Sequence, residues 1–219
     1  MILWEMDLRE NEYYHFGICF DEKKTPKYMT KENFVNRELK KNKYLTEFAK
    51  NEALKNFDLN MKYFSSLNPK KFEKELEEVL SMYAFIEVSN LNNLKGNKGI
   101  YLLVLDNYKQ IYIGQTNRDL KERILRHFKI EIPFQRVPFV RYDTLPIDAF
   151  KPLDTTRIFA LFTSEQEVMD EIESKLIEKC PAEFILNKTI GGKANNYMDV
   201  AIRLSIGRIK KDFDKKTDI

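Results

Sequence analysis

The chain has 219 residues, 43% hydrophobic and 13% aromatic, enough for one large domain or for a core of about 100 to 150 residues with a smaller attachment. Its formal net charge of +3 is too mild to carry a bulk-polycation argument for nucleic acid, though a local patch stays open. No apolar run approaches the ~18 residues of a membrane span, and the acids of MILWEMDLRE stand where a secretory signal needs bases, so no membrane association is expected.

Two cysteines far apart, Cys19 and Cys180, give neither zinc spacing nor a disulfide framework, and a reducing cytoplasm is the simplest reading. Alternation around His15–Gly17–Cys19 suggests a short strand or packing segment. Thr30 has the spacing of a cap but lacks the Glu or Gln of a capping box. Phe34, Leu39, Leu45, Phe48, Ala49 and Leu54 then suit a helix within residues 31–57. Asn68-Pro69 opens a clearer one, with Phe72, Leu76, Val79, Leu80 and Tyr83 at spacings of three and four.

The polar stretch SNLNNLKGNK, residues 89–98, is the best boundary in the chain. Beyond it, GIYLLVLDNYKQIYIG reads as a hairpin: apolar runs Gly99–Leu105 and Gln110–Gly114 around the turn Asp106–Lys109. A short amphipathic helix follows over Asp119–Phe128, with Leu120, Ile124 and Phe128 four apart. Residues 129–157 contain Pro133, Pro138, Pro146 and Pro152 and no clear period, the signature of a functional loop or of short elements. Arg157–Thr163 reads as a third strand, and Ser164 with Glu167 forms a capping box for a helix ending near Cys180-Pro181. A glycine turn at Gly191-Gly192, a helix over Tyr197–Ile209 and a charged, frayed end complete the chain.

Two helices carry candidate chemistry. At 100° per residue, Met169, Ile172, Leu176 and Ile177 form one apolar arc, and Glu173 projects inside it. A carboxylate there is partly desolvated, which is unfavourable unless it is paired, hydrogen-bonded or bound to a cation. A buried pair with Arg or Lys would explain it as well as a functional role would. On the shorter helix, Arg123 and His127 are four apart on one face, while Glu122 and Arg126 have the spacing of a surface pair. With Tyr101 and Tyr112 of the hairpin, these side chains are the inventory of a phosphodiester-cleaving site. A phenol or imidazole can take the nucleophile's proton, an arginine can hold phosphoryl oxygens bidentately, and an acid can hold a divalent cation.

Gly99-Ile100-Tyr101, Tyr112-Ile113-Gly114, Arg123, His127, the Glu173–Ile177 helix segment and Asn187 together resemble the GIY-YIG nucleases in order and spacing. The resemblance covers residues 99–187, about 40% of the chain, and its two triplets are literally intact. It implies an α+β fold: a three-stranded antiparallel sheet flanked by helices, here with a mostly helical N-terminal region. Residues 1–90 would then serve substrate selection or oligomerisation, residues 91–195 would be the nuclease domain with an insertion at 129–157, and residues 196–219 a C-terminal helix and tail.

The resemblance further implies a DNA endonuclease dependent on Mg2+ (or Mn2+), such as a restriction, phage-defence or mobile-element enzyme acting on double-stranded DNA. Tyr101 and Tyr112 would lie together on the sheet, and one of them, Tyr101 by preference, would take the proton of the attacking water or orient that water. Arg123 would hold the scissile phosphate, His127 would assist proton transfer, and Glu173 would anchor the metal. Asn187 would tie the site together, and Gly99 and Gly114 would support it structurally, Gly114 by allowing close approach. Lys121 and Arg126 are phosphate-contact candidates, equally explained as a solvated helix face. Cutting both strands of a palindromic site would call for a homodimer. The alternatives are a non-catalytic nucleic-acid-binding or assembly module on the same fold, and a small-molecule enzyme, which would need a closed pocket.

Overall fold

The computed structural model describes residues 2–4, 6–7, 31, 47–129 and 145–187. In chain order they form β1 (Ile2–Leu3), β2 (Met6–Asp7), α1 (Glu47–Ser66), α2 (Pro69–Ser81), β3 (Ile86–Glu87), β4 (Gly99–Leu105), β5 (Gln110–Thr116), α3 (Leu120–Lys129), β6 (Arg157–Phe162) and α4 (Gln166–Lys179). The alternation near His15, the cap at Thr30, residues 32–46 of the first expected helix, residues 130–144 of the insertion, the Gly191-Gly192 turn and the helix over Tyr197–Ile209 lie outside the described residues.

β4 is apolar at every position because both of its faces are covered: all seven residues are buried. It is the centre of an antiparallel sheet in the order β3-β6-β4-β5. The expected three strands are present, and the two-residue β3 adds a fourth beside β6. β1 and β2 form a separate antiparallel pair.

Asn68 does cap α2: its side-chain oxygen accepts from the N–H groups of Lys70 at 2.9 Å and Lys71 at 3.1 Å, with Pro69 in the first turn. Phe72, Leu76 and Val79 fill the core side of that helix. The preceding helix differs from expectation. α1 runs nine residues past position 57, to Ser66, and buries Phe57, Asn60 and Phe64, whereas Phe48 is 75% exposed. The α4 capping box does not form. The helix begins at Gln166, so Glu167 falls one position too early in the helix, and the cap residue is Glu165 with no side-chain cap bond. Glu122 and Arg126 are both exposed, and no ion pair joins them.

The polar stretch 89–98 is folded onto the core. Asn90 caps a 3-10 turn over Leu91–Leu94, and Leu91 and Leu94 are completely buried. The same stretch seats α3, since Leu120 N–H donates to Asn97 O at 2.9 Å and Gly96 N–H to Asp119 Oδ2 at 2.6 Å. Asp119 Oδ1 in turn accepts from Glu122 N–H at 2.9 Å, capping α3. Arg157 of β6 joins three elements, pairing bidentately with Glu73 of α2 and with Asp106 at the β4–β5 turn.

Candidate active site

The register of the hairpin brings the two tyrosines together. Tyr101 of β4 lies opposite Gly114 of β5, and Tyr112 is two residues from Gly114 on the same face. The rings are tilted with centroids 6.2 Å apart. Gly114 has a specific reason to be glycine: a Cβ there would run into Cζ and Oη of Tyr101. Gly99 has another, because its φ of +146° and the neighbouring Leu161 carbonyl exclude a side chain.

Asn187 fixes β5 from the outer edge. Phe184–Leu186 runs parallel along that edge, exchanging bonds with Ile111 at 2.7 and 2.9 Å. Where that ladder ends, the Asn187 side chain continues it, accepting from Ile113 N–H at 2.9 Å and donating to Ile113 O at 2.6 Å. The residue between Tyr112 and Gly114 is thereby held on both of its backbone groups.

α3 brings His127 against both phenols. Tyr101 Oη and His127 Nε2 are 2.6 Å apart, and the Tyr112 ring stands edge-on to the imidazole at 5.1 Å. His127 Nδ1 is 2.6 Å from Asp148 Oδ1. Asp148 lies on a 3-10 turn, Ile147–Ala149, within the proline-rich stretch read as an insertion. Arg123, one turn before His127, is half-buried beside the same groups. Burial acts most strongly on it and pulls its pKa down, but electrostatic interaction with Tyr101, Tyr112 and Asp148, and hydrogen bonding to Tyr101, together hold it above its ordinary value.

Burial pushes the Tyr101 hydroxyl well above the usual phenol pKa, with Tyr112 adding to the rise and Arg123 opposing it. Tyr112 is also raised, first by burial, with Arg123 pulling it back. Both are therefore neutral phenols at rest. Tyr101 has no accessible surface, whereas Tyr112 is only partly buried.

Glu173 is 8% exposed, as its position inside the apolar arc of α4 requires. Its charge acts on Tyr101, Tyr112 and Arg123, so it belongs to the same cluster. Burial lifts its pKa to about 7; Asp170 adds to the rise, while Gln115 and Arg123 oppose it. It makes no ion pair among the described residues. Gln115 Nε2 instead donates to Glu173 Oε2 at 2.9 Å and to Asp170 Oδ1 at 2.6 Å, and Gln166 donates to Asp170 Oδ1 at 2.8 Å.

Tyr101, Tyr112, Arg123, His127 and Glu173 thus converge, with Gly114 and Asn187 shaping the strand beneath them and Gly99 two residues from Tyr101 at the start of β4. Lys121 does not join them; its ammonium donates to Asn92 on the 3-10 turn at 2.6 Å. Arg126 is exposed on α3. Asp148, Gln115 and Asp170 are not among the residues the sequence singles out: Asp170 falls at the edge of the α4 arc and Gln115 directly follows the second triplet, while Asp148 gives no periodic signal.

No cluster of three or more His, Cys, Asp or Glu side chains able to hold a metal occurs among the described residues. Among those residues, no helix is long and apolar enough to cross a membrane. Comparison with curated proteins finds no match, nor does comparison with solved structures. Residues 97–183 match the family model described as the GIY-YIG catalytic domain, a stretch that includes the hairpin, α3, the Asp148 turn and α4. The chain therefore carries a GIY-YIG catalytic domain over residues 97–183.

Proposed function

We propose that the chain is a divalent-metal-dependent DNA endonuclease that hydrolyses phosphodiester bonds, of the restriction, phage-defence or mobile-element kind. The family assignment supports a nuclease-type role in general. The observation that carries the finer reading is the 2.6 Å contact between Tyr101 Oη and His127 Nε2 in a cluster that also contains Arg123 and Glu173.

A neutral buried phenol takes up a proton only if it can hand on its own, and His127 stands ready to receive it. Tyr101 is closed to water, so the proton path from the attacking water runs through Tyr112, whose ring packs against that of Tyr101. The water O–H bond breaks as its oxygen bonds phosphorus, one proton moves along the tyrosines to His127 Nε2, and the ester oxygen departs. Arg123 holds the phosphoryl oxygens through that change.

The donor set fits a hard divalent cation. Glu173 is a buried carboxylate with a raised pKa and a second carboxylate, Asp170, close by, and neither has a cationic partner in an ion pair among the described residues. Magnesium is commonly held by one or two carboxylates, with water and substrate phosphate completing its shell, so a three-carboxylate cluster is not needed. Glu173 would hold Mg2+ (or Mn2+), which supplies charge stabilisation to the leaving oxygen.

The reading is tested by incubating the full chain with plasmid, linear, single-stranded and branched DNA, with Mg2+ and with EDTA. Mg2+-dependent cutting is expected, abolished in Arg123→Ala and Glu173→Ala variants that keep the native circular dichroism. Metal-independent binding with no cutting of any DNA form would overturn it in favour of a non-catalytic binding module. One such site serves one strand, so we take the form that cuts both strands of a duplex to be a homodimer. On dilution, double-strand cutting should then fall faster than nicking; parallel loss of both would exclude the dimer.

A further inference from the structure

We propose that Asp148 is a positioning residue for proton transfer. It fixes His127 in the tautomer that carries hydrogen on Nδ1 and so leaves Nε2 open to receive the Tyr101 proton. This inference rests on the nuclease reading.

His127 is bonded at both ring nitrogens, and the two partners differ in kind. A phenol can donate or accept, whereas an ionised carboxylate only accepts. Asp148 Oδ1 at 2.6 Å from Nδ1 therefore requires the hydrogen on Nδ1, and the neutral ring must then accept from Tyr101 Oη at Nε2. Without the carboxylate the same ring could carry its hydrogen on Nε2 and donate to Tyr101, and that phenol would have nowhere to send a proton. Asp148 also faces the charge that His127 gains when the proton arrives, which favours its arrival.

The turn that carries Asp148 is built to hold it. Leu145, Ile147 and Phe150 are buried around it. Lys151, itself buried, donates from Nζ to the Asp148 carbonyl at 3.2 Å and from its backbone N–H to Asp154 Oδ2 at 3.2 Å. Tyr108 anchors Asp154 through Oδ1 at 2.9 Å. The carboxylate of Asp148 meanwhile keeps 28% of its side-chain surface exposed, so a substitution there need not disturb the core.

The test uses the full chain labelled with 15N-histidine. Its only two histidines are His15 and His127, so His15→Gln leaves one imidazole to observe. At about pH 8 the His127 signals should show a protonated Nδ1 and a bare Nε2. Asp148→Ala and Asp148→Asn should move hydrogen to Nε2. In DNA cutting the same variants should lower kcat by about 10²- to 10⁴-fold with KM little changed. A native His127 already protonated on Nε2, or an Asp148→Ala protein with unchanged tautomer and kcat, would overturn the proposal. If the native chain cuts no DNA, the nuclease reading falls, while the nitrogen signals still decide whether Asp148 sets the tautomer.

Discussion

Glu173 is a residue that the fold would hold more cheaply as a neutral group. Its carboxyl titrates near 7 instead of at the usual 4.5, because burial disfavours the ionised form. Between those two values the folded chain keeps a proton that the unfolded chain has released, so stability falls as pH rises through that window. Glu173→Gln should therefore be more stable than the native chain above pH 7 by about 3 kcal/mol, and equal to it below 4.5. Melting curves taken across that range, with and without Mg2+, read this directly. Mg2+ should raise the native melting temperature on the alkaline side and leave the variant unmoved. A variant less stable than the native chain above pH 7 without Mg2+ would mean that the ionised carboxylate is stabilising in the fold. Glu173 was legible in the sequence because a lone acid inside an apolar arc has a physical cost that periodicity exposes. Asp148 was not, because it sits on a single 3-10 turn, and nothing local in Pro146-Ile147-Asp148 says which distant side chain it meets.

At the scale of elements, the hairpin was legible almost to the residue, since its apolar runs had to be strands and the turn between them was polar. What the alternation could not show is that Gly114 makes room for a side chain on the neighbouring strand. That role follows only from the register that sets it opposite Tyr101. Gly114→Ala places a Cβ against Cζ and Oη of the fully buried Tyr101 ring, so the ring must be displaced. Overpacking of this kind costs about 1–3 kcal/mol. The variant should fold with a melting temperature lowered to match, and should lose most of its cutting because Tyr101 Oη leaves His127 Nε2. Retention of native kcat would show that the ring can shift without breaking that contact. The capping box expected at Ser164 failed for a related reason: Gln166, used as the first helical residue, spends its side chain on Asp170 and Gln115, which no reading of the local pattern contains.

At the scale of the molecule, α1 bears on the site although it lies outside the matched domain. Its Asn60 side chain accepts from Leu145 N–H at 3.2 Å, at the start of the stretch that carries Asp148. Its Phe64 ring packs 6.3 Å from Phe150, just after that turn, and 5.7 Å from Tyr108, which anchors Asp154. The helix therefore supports the Asp148 turn from behind. Phe64→Ala should cost about 3–5 kcal/mol, as truncation of a buried aromatic does. A control of similar kind is Val79→Ala in α2, whose side chain is equally buried on a different helix from the one that bonds Leu145 N–H. Compared below the melting range of both, so that the folded fractions match, the Phe64 variant should lose kcat and the Val79 variant should keep it. Equal kcat in the two folded variants would confine α1 to a general packing role. A selective loss would mean that residues ahead of the catalytic domain help to shape its proton acceptor.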